Sequence, residues 1–205
     1  MNIQNTKNKK NKRSNRSTNG KNTEFYIVYT VVFLLIALFL YLRFYLNGKS
    51  LVWSHDGVPQ HLNSLSYYGR YLRGILYTIF VEHRFSIPMW DLHIGYGSDI
   101  LTTLHYYVIG DPLTLLSVFC PSSKTEILYE FLIFLRIYLA GIAFSRYCFY
   151  HKNSRQATFM GCMIYIFAGW TIYAAMKHPY FSNPMIYLPL ILMGIDKIYK
   201  KERPY

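Results

Sequence analysis

The sequence contains few cysteines and few acidic residues. Among its 205 residues are three cysteines, and 10 aspartates and glutamates stand against 22 lysines and arginines. Only Cys120 lies outside the long apolar segments, which excludes an intramolecular disulfide in a loop, and no Cys/His spacing is typical of a zinc site. Glycine-rich phosphate loops, serine nucleophile elbows and zinc-peptidase motifs are also missing. Any chemistry must therefore depend on carboxylates, histidines and arginines.

Long apolar runs, by contrast, are abundant. Hydrophobic residues make up 52% of the chain. They are concentrated in blocks of about 20 residues, the length that a helix needs to cross roughly 30 Å of hydrocarbon. Four blocks are predicted transmembrane helices, at residues 25–46, 127–147, 157–176 and 184–198. The first is too long to be the apolar part of a secretory signal. We therefore predict an all-α, polytopic membrane protein with about four transmembrane helices and a long external loop at residues 47–126.

The net charge of +12 indicates a membrane topology. Basic residues collect in segment 1–24, after the second predicted span and after the fourth, whereas the loop between the first two spans balances both signs. By the positive-inside rule, both termini lie in the cytoplasm and the loop lies outside. We interpret residues 1–24 as a disordered tail close to anionic membrane lipids, and residues 199–205 as a cytoplasmic end. No folded nucleic-acid-binding module accompanies the charge, so nucleic acid is not an expected partner.

The loop between the first two spans has a regular pattern. Apolar residues recur at intervals of three, four and seven over residues 59–81, which predicts an amphipathic helix lying flat on the outer leaflet. Glycine and proline in segment 87–99 favour a shaped loop. Asp111 followed by Pro112 predicts a capped helix N-terminus that opens a short helix ending at Phe119.

Four aspartates of this loop are candidate site residues, and each has a structural alternative. Asp56 could act as a general base beside the membrane, or it could form a turn or cap the following helix. Asp91 and Asp99 flank the glycine loop, as carboxylates do that hold a divalent cation or sugar hydroxyls, and solvation of the loop would also explain them. For Asp111 the alternative to substrate binding is capping of the helix.

Histidines and arginines complete the set of candidates. His61 and His105 lie in the same loop without metal-ligand spacing, and they either line a polar site or pack against aromatic rings. Arg70 lies on the polar face of the amphipathic helix, where it meets a lipid phosphate in a site or only contacts headgroups. Arg136 lies about nine residues, or roughly 13 Å, inside the second span. A charge at that depth costs several kcal/mol unless it is paired or hydrated, so Arg136 is either functional or paired with Glu130 or a later helix.

Ordered motifs along most of residues 25–201 carry a resemblance to a known family. The motifs are 48–57 (GKSLVWSHDG), 60–61 (QH), 68–73 (YGRYLR), 88–92 (PMWDL), 95–99 (GYGSD), 101–107 (LTTLHYY), 110–112 (GDP), 135–141 (LRIYLAG), 178–179 (HP) and 183–189 (NPMIYLP). In this order they make the chain resemble the amino-terminal part of the YfhO family of bacterial membrane proteins. Family members are several times longer, so we expect the chain to be a truncated form or one piece of a split protein.

The resemblance implies both a function and a role for some residues. The family looks like the GT-C type glycosyltransferases, polytopic enzymes that take sugar from a polyprenyl-phosphate lipid on the outer face of the bacterial cell membrane. It implies teichoic acid or a related cell-envelope polymer as the acceptor. In that fold the first external loop carries an acidic catalytic residue, which Asp56 matches, and a surface helix, which residues 59–81 match. Asp91, Asp99 and Asp111 fall in matching motifs without individual roles.

The resulting hypothesis is inverting sugar transfer outside the cell, with Asp56 taking the proton from the acceptor hydroxyl. Arg70 or Arg136 stabilises the leaving phosphate, or a divalent cation at Asp91 or Asp99 does so. The residues predicted to bind substrate are His61, Arg70, Asp91, Asp99, His105, Asp111 and Arg136. The alternative hypothesis is a non-catalytic polytopic membrane protein or an inactive truncated fragment.

Overall fold

The computed structural model describes the backbone of residues 3–202 and the side chains of residues 23–202, and most of this chain is helical. The α-helices are α1 (Ile3–Leu46), α2 (Asn63–Phe80), α3 (Ile100–Leu104), α4 (Thr125–Tyr150), α5 (Arg155–Ile166), α6 (Gly169–Lys177) and α7 (Asn183–Tyr199). The shorter helical segments are two π-helical turns, Gly57–Leu62 and His105–Ile109, and three 3₁₀ segments, Pro112–Phe119, Ser122–Lys124 and Pro179–Ser182. Two short strands, β1 (Trp90–Asp91) and β2 (Ser98–Asp99), pair antiparallel. The prediction of a helical protein is confirmed.

Two helical stretches are long and apolar enough to cross a membrane. They are Thr23–Leu46, within α1, and Ser122–Tyr150, which includes α4, and they correspond to the first two predicted spans. The third predicted span is divided into α5 and α6, which are bent by 44° at the break between them. The fourth corresponds to α7, whose 17 residues extend about 25 Å. The described residues thus supply two spans, or three if the bent pair is one span, and the number of four remains a prediction.

The ends of the long helices collect at two opposite ends of the bundle. At one, which we name the basic end, contacts join Arg155 to Glu24 (3.7 Å), His151 to Asp196 (2.9 Å) and Tyr150 to Glu202 (3.4 Å). These contacts bring together the start of the apolar part of α1, the end of α4, the start of α5 and the end of α7. At the other end, which we name the loop end, His178 after α6 contacts His61 of the loop between α1 and α4. The chain therefore passes between the two ends four times, with α5 and α6 sharing one passage.

Helix α1 begins well before its apolar part. Its backbone is helical from Ile3, so it includes residues that the sequence analysis predicted as a disordered tail. Residues 3–24 contain no proline and a single glycine, Gly20. A helix that is already formed extends into such a segment without a second nucleation step. The disordered cytoplasmic tail at residues 1–24 stays a prediction.

A buried tyrosine and a glycine bring the first two spans into close contact. Tyr29 is 1% exposed, and its hydroxyl donates a hydrogen bond to the Tyr138 carbonyl oxygen (2.8 Å). A Cβ added at Gly141 would come within 2.8 Å of Tyr29 Cζ, so the ring can approach the α4 backbone only because this residue is glycine. Phe33 packs against the Tyr138 ring, with 5.2 Å between ring centroids. These contacts hold α1 against α4.

The amphipathic helix predicted over residues 59–81 is present as the π-helical turn Gly57–Leu62 continued by α2. It packs closely on the 3₁₀ segment Pro112–Phe119. A Cβ added at Gly69 would lie only 2.7 Å from the Ser117 carbonyl oxygen, so this close contact requires glycine. Arg73 donates hydrogen bonds from Nη1 to the same oxygen (3.0 Å) and to the Cys120 carbonyl oxygen (2.6 Å). The arginine thus satisfies carbonyl groups at the end of the 3₁₀ segment and anchors α2 to it.

The predicted helix start at Asp111 is also present. The Asp111 carboxylate accepts a hydrogen bond from the Leu113 backbone N–H (2.9 Å), and Pro112 occupies the first helical position. The segment ends at Phe119, as predicted, although its geometry is 3₁₀. This cap fixes the position of the Asp111 carboxylate at the junction between the helix bundle and the loop that joins α1 to α4.

Candidate functional site

Asp56 lies at the loop end, directly before the π-helical turn Gly57–Leu62. Its backbone carbonyl oxygen accepts hydrogen bonds from the N–H groups of Gln60 and His61, at 3.2 Å each. Its side chain does not cap the turn; instead Oδ1 accepts a hydrogen bond from the Gln60 side-chain amide (3.0 Å). The Gln60 Oε1 in turn accepts one from the Tyr107 hydroxyl (3.1 Å). These bonds orient the Asp56 carboxylate, and its capping alternative is not realised.

A histidine from a distant part of the chain faces the same carboxylate. His178 places Nε2 3.8 Å from Asp56 Oδ2 and Nδ1 3.0 Å from His61 Nε2. We name Asp56, His178 and His61 the acid–histidine chain. Exposure decreases along it, because the Asp56 and His178 side chains are 35% and 27% exposed, whereas His61 is fully buried. An incoming molecule can therefore reach the carboxylate while the inner histidine stays shielded from water.

Burial keeps the inner histidine neutral. Desolvation lowers the pKa of His61 to about 4, with His178 acting in the same direction and Asp56 opposing it. A neutral imidazole has one donor and one acceptor nitrogen. In the tautomer that directs the His178 Nε2–H at Asp56, His61 donates from Nε2 and keeps Nδ1 as an acceptor. That Nδ1 atom is buried and has no hydrogen-bond partner among the residues whose side chains are described.

Lys177 adds a positive charge beside the acid–histidine chain. Its Nζ lies 4.2 Å from the centroid of the Trp53 ring and 4.5 Å from that of the Tyr173 ring. Trp53 in turn contacts the His178 ring in an edge-to-face arrangement, with 6.3 Å between centroids. Contacts with aromatic rings position the ammonium group without neutralising its charge, so Lys177 can attract an anion to this surface.

Arg136 and Asp111 lie deeper in the bundle and bind each other. Arg136 donates from Nη2 to Asp111 Oδ2 (2.5 Å) and from Nε to Asn183 Oδ1 (3.1 Å). Its guanidinium lies 5.3 Å from the centroid of the Tyr180 ring, which packs edge-on against His61. Arg136 therefore has structural partners in Asp111 and in Asn183 at the start of α7. Of the two predicted alternatives, a functional residue or a paired one, the structure has the paired one. The pair is buried beneath the acid–histidine chain, and substrate binding by these two residues stays a prediction.

Arg70 and Asp91 lie in a separate pocket of about 670 Å³ beside α2. Its lining includes Tyr67, Arg70, Tyr71, Thr78, Trp90 and Asp91, and we name it the aromatic pocket. The Tyr67 hydroxyl donates to Asp91 Oδ2 (2.5 Å), and the His93 backbone N–H donates to Asp91 Oδ1 (2.8 Å). These hydrogen bonds, that from Tyr67 above all, lower the pKa of Asp91 to about 2. The pocket therefore carries one negative and one positive side chain at neutral pH.

Among the residues whose side chains are described, those of Asp99 and His105 bind only nearby Thr102. Asp99 caps α3, accepting hydrogen bonds from the Thr102 backbone N–H (2.7 Å) and hydroxyl (2.8 Å), and these bonds lower its pKa. His105 Nδ1 lies 2.7 Å from the Thr102 carbonyl oxygen. The pairing of β1 with β2 brings Asp91 near Asp99, yet the two carboxylates bind different partners. Within the described residues, no group of three or more His, Cys, Asp or Glu is arranged to hold a metal ion.

Six of the eight predicted residues fall into three places, whereas Asp99 and His105 bind Thr102 instead. Asp56 and His61 lie together, Asp111 and Arg136 lie beneath them, and Arg70 and Asp91 share another pocket. Sequence reasoning missed His178 and Lys177 as members of the Asp56 site. The His-Pro pair at 178–179 was among the motifs of the resemblance, but 117 positions separate His178 from His61. Only the fold brings them together.

A family model described as "Bacterial membrane protein YfhO" matches residues 28–205. No curated protein matches the chain, and no solved structure matches it. The matched residues include both the acid–histidine chain and the aromatic pocket.

Proposed function

The chain belongs to the YfhO family of bacterial membrane proteins, and from this premise we propose that it acts as a GT-C-like glycosyltransferase or as part of one. The donor is a sugar carried by polyprenyl phosphate, and the acceptor is a hydroxyl group of teichoic acid or a related cell-envelope polymer. The single observation that carries the proposal is the acid–histidine chain. It presents an oriented, partly exposed carboxylate at the ends of membrane helices.

Asp56 is the general base of an inverting transfer. Its carboxylate takes the proton from the acceptor hydroxyl while the hydroxyl oxygen attacks the anomeric carbon of the donor sugar. The bond between that carbon and the phosphate oxygen of the lipid breaks, and the phosphate leaves with the electron pair. His178, 3.8 Å from Asp56, is a positioning residue for the carboxylate. The turn and Gln60 hold the same carboxylate from the other side.

Lys177 is the best placed cation to stabilise the leaving phosphate. It precedes His178 in the chain and its charge is held against two aromatic rings. Arg136, by contrast, is committed to Asp111, and Arg70 lines the aromatic pocket. We therefore assign to Lys177 the role that the sequence analysis gave to Arg70 or Arg136.

In this proposal the loop end faces the cell exterior and both termini lie in the cytoplasm. The helix ends at the basic end carry Lys152 and Arg155 after α4, and Lys197 and Lys200 in the last turn of α7 and beyond it. The positive-inside rule assigns such an end to the cytoplasm. The lipid-linked sugar and the polymer would then both be on the side of Asp56.

The test is sugar transfer by the chain in lipid nanodiscs. Labelled polyprenyl-phosphate sugar and extracted teichoic acid are supplied to the wild type, to Asp56→Asn and to Glu82→Gln, an exposed carboxylate of the same loop. Loss of the general base is expected to lower kcat at least about 100-fold, whereas Glu82→Gln leaves it unchanged. Equal transfer by the wild type and Asp56→Asn would end the assignment. No transfer by a folded, inserted wild type would support a non-catalytic polytopic membrane protein instead.

A further inference from the structure

The aromatic pocket takes no part in the steps above, and we infer that it binds a pyranose sugar. Its natural occupant would be a neutral pyranose unit carried by the cell-envelope polymer that accepts the transferred sugar. That identification of the polymer rests on the proposed function, whereas the binding of a pyranose can be measured without any transfer.

The shape and the lining of the pocket fit a sugar ring. A volume of about 670 Å³ is in the range of small-molecule sites. The rings of Tyr67 and Tyr71 are nearly parallel, with an angle of 13° between their planes, and Trp90 is 61% exposed. The faces of aromatic rings carry partial negative charge and attract C–H groups, which cover the flat sides of a pyranose.

The polar groups of the pocket match a set of hydroxyls. Asp91 Oδ1 receives its hydrogen bonds from His93. Within residues 23–202, Oδ2 receives only the hydrogen bond of Tyr67, which leaves it a lone pair for a ligand. Arg70 is exposed and makes no hydrogen bond or ion pair within residues 23–202, so its N–H donors are open to a ligand. One acceptor and several donors can therefore bind neighbouring hydroxyl groups, which both give and receive hydrogen bonds.

The charges in the pocket favour a neutral ligand over an anion. A lipid phosphate bound to Arg70 would also meet Asp91, which stays ionised because its hydrogen bonds lower its pKa, and the two negative charges would repel each other. A neutral pyranose donates to Asp91 and accepts from Arg70 without this conflict.

The pocket also lies on the same helical element as the proposed base. Tyr67 follows Gln60 by seven residues and Arg70 follows it by ten, which corresponds to roughly 10–15 Å along the helix axis. A polymer of linked units can extend over that distance. One unit would be held in the aromatic pocket while the hydroxyl of another approaches Asp56.

The experiment measures binding of soluble pyranosides to the whole chain by saturation-transfer NMR. The chain is placed in phosphatidylcholine–phosphatidylglycerol nanodiscs rather than in a maltoside detergent, because a sugar headgroup would occupy the pocket. The probes are methyl β-D-glucopyranoside, methyl N-acetyl-β-D-glucosaminide and, separately, inorganic phosphate. At least one pyranoside is expected to bind saturably, and Arg70→Ala and Asp91→Asn each weaken that binding about tenfold. Arg84→Ala, a matched loss of charge outside the pocket lining, leaves it unchanged.

Three results would overturn the inference. They are the absence of saturable pyranoside binding, equal binding by the wild type and both pocket variants, and binding of phosphate through Arg70 in place of the sugars. Failure of the proposed function is recognised separately: sugar binding that depends on Arg70 but is unaccompanied by transfer would leave the pocket assignment intact. If the two pocket variants transfer sugar as fast as the wild type, the proposed glycosyltransferase function would stand, but the aromatic pocket would have no part in the transfer.

Discussion

Arg136 and Asp111 form an ion pair inside the bundle, with both side chains at most 5% exposed. Arg136 belongs to the long apolar helix α4, whereas Asp111 caps a segment of the loop between α1 and α4. Asn183, at the start of α7, accepts a second hydrogen bond from the same guanidinium. One deeply placed cation therefore joins the loop to two helices directly beneath the acid–histidine chain.

Breaking this pair is expected to destabilise the fold strongly. Arg136→Met leaves a buried carboxylate without its cation, and the free energy of unfolding should fall by about 3–5 kcal/mol. Asp111→Asn can keep the cap of the 3₁₀ segment but leaves the guanidinium without its counter-charge, with a comparable loss. Thermal and denaturant unfolding in micelles measure both. The double variant should lose clearly less than the sum of the single losses, and strictly additive losses would contradict a coupled pair.

The two long spans could be predicted because membrane crossing depends on apolar length, which can be read directly from composition. The cap at Asp111 was equally accessible, since aspartate followed by proline is a local signal. The break between α5 and α6 was missed, because the apolar composition continues across Phe167 and Ala168 and no proline marks it. The division of one predicted span into two helices is decided by packing.

The site was predictable only in part, for the same reason. Asp56 and His61 share one turn, so a local reading found both. Their partner His178 arrives from the end of α6 through tertiary structure. Arg70 and Asp91 were predicted as site residues but lie in another pocket. The periodicity of a helix predicts which side chains share a face, but it does not predict which loop packs over that face.

His61 is expected to make the stability of the chain depend on pH. Its pKa is about 4 in the folded chain and about 6.5 in an unfolded one. Between these two pKa values the unfolded state binds a proton at His61 and the folded state does not. The contribution of neutral His61 to the free energy of unfolding is therefore complete above pH 6.5 and is lost as the pH falls. The free energy of unfolding should decrease by about 2 kcal/mol from pH 7.5 to pH 5. Unfolding of the wild type and of His61→Gln, compared at both pH values, checks this; an equal decrease in the two would exclude His61 as the cause.

Two substitutions of His178 separate its two contacts. Asparagine can replace Nδ1 and keep the hydrogen bond to His61, whereas glutamine can replace Nε2 and keep a polar group towards Asp56. If His178 positions the base, His178→Gln should retain most of kcat, and His178→Asn should lose about tenfold or more with little change in KM. Transfer kinetics and thermal unfolding of both variants are the measurements. If kcat falls most in the variant with the lower unfolding temperature, and not in the variant that lacks a polar group facing Asp56, the role of His178 is purely structural.

The side of the membrane that carries Asp56 can be measured with single cysteines. The buried Cys148 and Cys162 are shielded, and Cys120→Ser removes the more accessible thiol. In that background, Ser123→Cys places a thiol at the exposed loop end and Asn153→Cys places one at the exposed basic end. An impermeant maleimide should label position 123 in intact cells, and position 153 only after permeabilisation, because the basic clusters hold their end in the cytoplasm. The opposite pattern would leave Asp56 on the cytoplasmic side, where transfer to an external cell-envelope polymer is impossible.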